Sequence, residues 1–356
     1  MSAADPLRDA YRGRRVFVTG HTGFKGSWLT LWLSRLGAEV SGYALAPDTS
    51  PCMFDLAGIR AHLAAHHEDD IRRAERLRDA LAAAQPDVVF HLAAQPLVRA
   101  GYLDAPGTWS ANVMGTVHLL EAIRTVPSVR AAVVVTTDKC YRNLERGEAF
   151  AEDAPLGGDD PYSASKAAAE LVVHSYRHSF FGSGPLLASA RAGNVIGGGD
   201  WSADRLVPDA VRAATLGRPL LVRHPQATRP WQHVLDALHG YLLLGARLLA
   251  GDAACAGAFN FGPGGDGNRR VADVLERLAS YWPELRWEPD PHAASAPHEA
   301  TLLQLDADHA RRTLGWTPAW DLDTALQKTA EWYRAVLRRP GDALTISQRQ
   351  LDEFAA

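Results

Sequence analysis

A tyrosine and a lysine four residues apart, in Tyr162-Ser-Ala-Ser-Lys166, offer the plainest chemistry in this sequence. On a helix, positions i and i+4 share a face, so the Lys166 ammonium would lie near the Tyr162 phenol. A neighbouring cation favours phenolate and lowers the tyrosine pKa towards neutrality, which would make Tyr162 a base for a substrate hydroxyl. Upstream, Thr136-Thr137-Asp138-Lys139-Cys140-Tyr141 ends a β-rich run. The Thr137 hydroxyl can hydrogen-bond the oxygen that Tyr162 deprotonates. Asp138 and Lys139 add an adjacent acid and base, more proton-transfer equipment than hydride transfer alone needs. A solvated turn would also account for the Asp-Lys pair, and YxxxK alone arises by chance in many chains. What gives both weight is a glycine loop earlier in the chain. Cys140 reads as a small buried thiol.

That loop is GHTGFKG, with Gly20, Gly23 and Gly26, between the run RVFVTG and the apolar stretch SWLTLWLSRLG. Glycine lets a backbone turn tightly and approach a pyrophosphate, and the amides of the helix start stabilise the anion. The spacing is GxxGxxG rather than GxGxxG, and a glycine trio is often only a turn. The strand before it and the helix after it favour a dinucleotide site. A dinucleotide site commonly has an acid at the end of the second strand for the adenosine ribose. Here that end reads GYALAPDTSP, and Asp48 sits further along than expected. No Arg or Lys stands ready for a 2′-phosphate, so NAD is favoured over NADP. Asp70 and Ile71 would suit the adenine edge, although Asp70 could equally be a solvated acid of HEDD.

Stepping from these residues to the elements that hold them, β-rich runs at 15–19, 38–43, 63–68, 87–92, 131–137 and 186–191 alternate with helical patterns at 25–36, 73–84, 109–123 and 164–179. Apolar strands alternating with helices predict an α/β fold, a doubly wound Rossmann-type parallel sheet covered on both faces. After Asn194 the texture changes to glycine- and proline-rich segments, with helical patterns at 234–249, 271–281 and 324–337 and a turn FNFGPGGDGN. We expect residues 1–193 and 234–262 to form the nucleotide-binding domain. Residues 194–233 and 263–356 would form a smaller mixed α/β substrate-binding lobe.

Composition excludes several classes. The 356 residues carry a net charge of −4 and are 47% hydrophobic, which gives no nucleic-acid surface and no polybasic membrane anchor. Three cysteines without CxxC spacing argue against a disulfide framework or a metal site and suit a reducing compartment. The opening MSAADPLRDAYRGRR has no apolar run, and the apolar stretch near 242–249 is broken by Arg247. The expectation is a cytoplasmic protein with no nucleic-acid or membrane partner.

Across almost its whole length the chain resembles the extended short-chain dehydrogenase/reductases, and among them the CDP-glucose 4,6-dehydratases. The stretches that carry this are GHTGFKGSWL, FHLAAQPLVR, NVMGTVHLLEAIR, TDKCY, DPYSASK, RAGNVIGGGDW, RPWQHVLDALHGYLLL, FNFGP, PHEA and LGWTP. TDKCY discriminates most, because dehydratases of dTDP- and GDP-sugars usually have Glu where Lys139 stands. One departure is Arg142-Asn143, where relatives often carry Asp-Asn.

The resemblance implies NAD-dependent dehydration of CDP-glucose to the 4-dehydro-6-deoxy sugar nucleotide, as in deoxysugar and O-antigen biosynthesis. Tyr162, Lys166 and Thr137 would serve oxidation at carbon 4, and Asp138 and Lys139 the loss of water across carbons 5 and 6, their acid and base roles left open. It implies a cofactor site of Gly20, Thr22, Gly23, Phe24, Lys25, Gly26, Asp70, Ile71, Leu92, Ala93, Ala94, Thr136, Tyr162 and Lys166. Substrate would meet Gln95, Arg99, Asn194, Arg205, Arg229 and His233, with Arg229 on the diphosphate, and His298-Glu299 matches a family motif. In relatives the 109–123 and Tyr162-bearing helices pair across a two-fold, so a homodimer or homotetramer is expected, using Val113, Val117, Leu120, Leu171 and Val172. A sugar-nucleotide 4-epimerase, a dehydratase of another nucleoside-diphosphate glucose, a net reductase and a non-enzymatic NAD-binding regulator are the competing readings.

Overall fold

The computed structural model describes residues 6–292 and 302–355. In chain order its strands are β1 (Arg15–Thr19), β2 (Glu39–Ala44), β3 (Ala65–Glu68), β4 (Val88–His91), β5 (Ala131–Val135), β6 (Leu186–Ala192), β7 (Asn194–Ile196), β8 (Leu220–Val222), β9 (Thr228–His233), β10 (Ala258–Phe261), β11 (Asn268–Arg270) and β12 (Trp287–Pro289). Seven of them form one sheet in the order β10-β6-β5-β4-β1-β2-β3. Every neighbouring pair in it is parallel.

Strand periodicity explains why the central runs are apolar on both faces. Alternate residues of β5, Ala131, Val133 and Val135, enter one core with the helices Phe24–Arg35 and Val234–Leu249. Ala132 and Val134 enter the opposite core with the helices Ala74–Ala84 and Gly115–Arg124. Side chains two apart share a face, so a sheet covered on both sides needs an unbroken apolar run. The chain leaves β1 towards β2 and β3 and returns to place β4, β5 and β6 on the other side. The reversal between β1 and β4 opens a crevice at the carboxyl ends of the strands, where ligands of such sheets bind.

The remaining strands make two small sheets, β11-β9-β7 and β12-β8, beside that crevice. Trp28 ties the two parts together by donating from Nε1 to the Gly198 carbonyl at 2.9 Å. Among the described residues no helix is long and apolar enough to cross a membrane.

Several elements differ from expectation, the helix Leu206–Thr215 in the proline-rich stretch among them. The pattern at 109–123 is not one helix: Ala105–Trp109 passes through a π turn, Ser110–Met114, before Gly115–Arg124. The wide turn carries Asn112, whose side chain accepts from the Gln95 amide at 2.8 Å and donates to the Ser165 hydroxyl at 2.8 Å. A one-residue bulge of this kind re-aims a polar side chain without breaking the hydrophobic stripe. The Tyr162-bearing helix starts earlier than 164, at Pro161, because Asp160 caps it by accepting from the Ser163 amide at 3.0 Å and proline suits its first turn. The stretch read as a turn, FNFGP, supplies β10 of the main sheet. A final helix, Ala343–Ala355, was not anticipated.

Candidate active site

A cleft of about 730 Å³ runs along the carboxyl edge of the large sheet and under the small ones. At one end lies the glycine loop. Gly20 has φ +77°, and a Cβ there would stand 2.6 Å from the Ala93 amide nitrogen; a Cβ on Gly26 would collide with the Gly20 carbonyl oxygen. Only glycine lets this turn close against β4. The helix Phe24–Arg35 begins at Gly23 with no side-chain cap and no acid in its first turn, so its amide end and dipole face the cleft unopposed. Thr22 fastens the loop to the end of β2 by donating to the Leu45 carbonyl at 2.8 Å. Leu92 and Ala93 hold its other side, both amides donating to the Thr19 hydroxyl at 3.2 Å. A close-packed glycine cradle at a helix start, opening on a long cleft, fits a dinucleotide.

The adenine-side candidates also line the cleft, but Asp70 is already engaged. Its carboxylate takes Arg72 at 2.5 Å, and this hydrogen bond holds it below the usual carboxylate range. Ile71 is buried and packs against Gly115.

At the far end of β5 the chain bends into a single 3₁₀ turn, Asp138–Cys140. Thr137 stands at its centre. Its hydroxyl donates to Asp138 Oδ1 at 3.0 Å and accepts from the Lys139 amide at 3.3 Å. Asp138 is buried, and its Oδ2 has no hydrogen-bond partner. Burial raises its pKa against the pull of Lys139, the Thr137 hydroxyl, Arg229 and Lys25. An acid in that setting holds its proton more readily than one in water.

Tyr162 departs from expectation. Burial pushes its phenol up to about 12, and the groups that pull it down are Thr137 and Arg205, not Lys166. The Lys166 ammonium is directed instead at the Val135 carbonyl, 3.1 Å away. Burial lowers Lys166 to about 8, with Glu170 and Cys140 opposing the shift. Lys25 of the glycine loop reaches the same region: burial, then the charges of Arg205 and Lys166, lower it to about 7.

The cleft therefore brings together Gly20, Thr22, Gly23, Phe24, Lys25, Gly26, Asp70, Ile71, Leu92, Ala93, Ala94, Thr136, Thr137, Asp138, Lys139, Tyr162 and Lys166, and Gln95, Arg99, Asn194, Arg205 and Arg229 line it too. Gln95 lines it through an amide that is otherwise occupied, donating to Thr108 Oγ1 at 2.9 Å and accepting from the Leu97 amide at 2.6 Å. Thr136 turns its hydroxyl to Glu170. His233 does not belong to the cleft. It is fully buried, its Nδ1 accepts from the Leu235 amide at 3.2 Å as the cap of Val234–Leu249, and its ring packs 4.7 Å from Trp320. Burial lowers it to about 3, so it stays neutral. His298 and Glu299 lie outside the described residues.

Three further residues that line the cleft, Asp200, Asp204 and Arg223, had not been singled out from the sequence. Asp204 receives Arg99 at 2.6 Å and Arg223 at 3.5 Å, and Asp200 receives Arg205 at 3.5 Å. Asp200 sat in the quoted stretch GGGDW and could have been found there; Arg223 and Asp204 carried no spacing signal.

Residues 16–262 match the model of the NAD dependent epimerase/dehydratase family. The chain is 44% identical, over 98% of both chains, to the CDP-glucose 4,6-dehydratase of Salmonella typhimurium. It is 31% identical to the dTDP-glucose 4,6-dehydratase of Streptomyces griseus, covering 89% of this chain and 93% of that one. An epimerase structure from Methanothermobacter thermautotrophicus superposes with a TM-score of 0.80, at 23% identity over 94% of this chain and 96% of that one. The dTDP-glucose 4,6-dehydratase of Bacillus anthracis, solved in complex with NAD, gives 0.73 at 22% identity over 90% of this chain and 96% of that one. These last two establish the fold. By the family model and the 44% identical relative, the chain belongs to the NAD dependent epimerase/dehydratase family.

Proposed function

We propose that this chain removes water from CDP-glucose to give the 4-dehydro-6-deoxy sugar nucleotide, a step of deoxysugar formation. The observation that carries dehydration is Asp138: a buried acid with an unpartnered oxygen, hydrogen-bonded to Thr137 in the cleft that Tyr162 also lines. A 4-epimerase would use Tyr162 and Lys166 but has no step for Asp138 and Lys139. The choice of CDP rests on the 44% identical relative and on TDKCY.

Gly20, Gly23 and Gly26 of the glycine loop, with Tyr162 and Lys166, line the part of the cleft that would hold NAD, which would accept the hydride of carbon 4 and return it to carbon 6. Tyr162 takes the proton of the 4-hydroxyl, with Thr137 and Arg205 favouring its charged form and Lys166 fixed against the end of β5 on the same helix. The 4-ketone acidifies carbon 5, whose proton passes to Lys139. Asp138, inclined by burial to hold a proton, delivers it to the 6-hydroxyl, which departs as water, and Lys139 returns its proton to carbon 5 as carbon 6 takes up the hydride. The diphosphate lies along Arg205 and Arg229, with Arg99 and Asn194 also lining the cleft.

We assign residues 1–193 and 234–262 to the cofactor domain and 194–233 and 263–356 to the substrate lobe, in a cytoplasmic enzyme. A homodimer or homotetramer is supported by exposed apolar side chains on the two expected interface helices, Trp109, Met114 and Leu171. Leu120 is removed from that surface, being fully buried in the subunit core. Deuterium at carbon 4 of CDP-glucose is expected at carbon 6 of the product, with no net NADH formed. A product retaining its 6-hydroxyl would overturn the reaction, and faster turnover of dTDP-, GDP- or UDP-glucose would overturn the nucleotide.

A further inference from the structure

Beneath the Tyr162–Lys166 pair lies a buried charge that the dehydration scheme leaves unused. Tyr162, Lys166 and Glu170 recur every four residues on one face of Pro161–Ser179, and all three are buried. The Glu170 carboxylate is fully engaged. Oε1 accepts from the Thr136 hydroxyl, and Oε2 from the Ser189 hydroxyl and from Arg191, each at 2.7 Å. Arg191 is fixed in turn, donating to the Tyr141 phenol at 2.8 Å and to the Glu152 carbonyl at 2.9 Å.

We propose that Glu170 is a positioning residue for the reaction: it is the counter-charge that keeps Lys166 an ammonium inside the protein and the anchor that fixes the end of β5. Resting on the roles proposed above for Tyr162 and Lys166, Glu170 is tied to the reaction centre by geometry. Lys166 and Glu170 grip neighbouring residues of the same strand, Lys166 at the Val135 carbonyl and Glu170 at the Thr136 hydroxyl. Together they staple the helix to β5 immediately before Thr137. Glu170 is also the carboxylate that acts most strongly on Lys166 against the effect of burial.

The other ionisable groups around Lys166 do not replace it. Lys25 from the glycine loop repels it, and His91 of β4, held neutral mainly by burial, brings no negative charge. Cys140 of the 3₁₀ turn is a buried thiol whose pKa burial raises, and Asp138 beside it is pushed towards its protonated form. Arg191 of β6 is a cation paired with Glu170 and brings no negative charge. Stability alone does not call for such a pair, since a buried ion pair is often matched by apolar side chains of the same volume. Its placement one helical turn beyond Lys166 is what a charge-holding role requires.

The test compares the native protein with Glu170→Gln and with Glu170→Gln/Arg191→Met, in which neither charge remains. Three quantities are followed between pH 6 and 10: NAD affinity by calorimetry, kcat/KM with CDP-glucose, and Tm. In the native protein the alkaline limb of NAD affinity and of kcat/KM should fall near 8, the pKa of Lys166. Both variants should move it down by about one pH unit. The single variant, left with a bare guanidinium, should lose most in Tm, and the double variant should recover much of that loss. An alkaline limb unmoved in the double variant would overturn the proposal, as would a loss of affinity uniform across pH. Should the native protein bind NAD but turn over no sugar nucleotide, the dehydratase reading fails, and the NAD-affinity limb still decides the role of Glu170.

Discussion

A carboxylate buried with one oxygen unpartnered is costly to ionise, and Asp138 shows what the site gains from that cost. Its folded pKa lies above that of the unfolded chain, so its contribution to stability is present at low pH and lost as pH rises through the raised value. Asp138→Asn keeps an oxygen for the Thr137 hydroxyl but cannot ionise. The variant's Tm should therefore exceed the native value by more at pH 8 than at pH 5, while kcat falls by roughly a hundredfold or more through loss of the acid. Parallel melting curves and initial rates check both. A Tm advantage that does not grow with pH would contradict the buried-acid account. At this scale the sequence was informative about residue types and less so about their settings. Thr137, Asp138, Lys139, Tyr162 and Lys166 were legible because strand ends and i, i+4 spacing are local. Desolvation of Tyr162 was not, because it depends on everything packed over the phenol, and burial outweighs the nearby cations.

Among the elements, the six strands from β1 to β6 could be read because a sheet covered on both faces demands unbroken apolar runs between turn signals. β10 could not, since FNF flanked by glycine and proline looks like a turn until β6 is there to pair with it. The π turn left no mark either, because the extra residue preserves the apolar stripe on both sides. His233 shares a strand face with Arg229 in sequence, yet four residues along β9 carry it roughly 13 Å further, beyond the cleft and into a helix cap. The glycine loop was legible as a motif, and the structure adds its tolerance. Gly26→Ala would drive a methyl into the Gly20 carbonyl, so NAD affinity should drop by more than tenfold by calorimetry. Retained affinity would show that the loop can open. Asp236, in the first turn of Val234–Leu249, offers a second test. It accepts from the Ala319 amide at 2.6 Å, and burial pushes it up to about 7. A raised pKa gives stability that is lost as pH climbs from about 4 to 7, so Asp236→Asn should flatten the fall in Tm across that window.

For the molecule as a whole, one helix serves two surfaces. Pro161–Ser179 turns Tyr162, Lys166 and Glu170 into the protein, while Leu171, one residue beyond Glu170 and about 100° around the helix, is 60% exposed. Trp109 and Met114 expose similar apolar area on the adjoining segment. Exposed apolar side chains of this size on the two segments are what the proposed contact with a second copy would cover. Leu171→Glu places a charge that would have to be desolvated there, so the mass by light scattering should halve, from two chains to one or from four to two. Turnover is expected to survive the change to within about tenfold, because the inner face of the helix is held from within the subunit. Lys166 grips the Val135 carbonyl, Glu170 the Thr136 hydroxyl and Asn112 the Ser165 hydroxyl, none of them across the proposed interface. A variant of unchanged mass would move the interface to another face. A dissociated variant without activity would mean instead that the partner stiffens the Tyr162 helix.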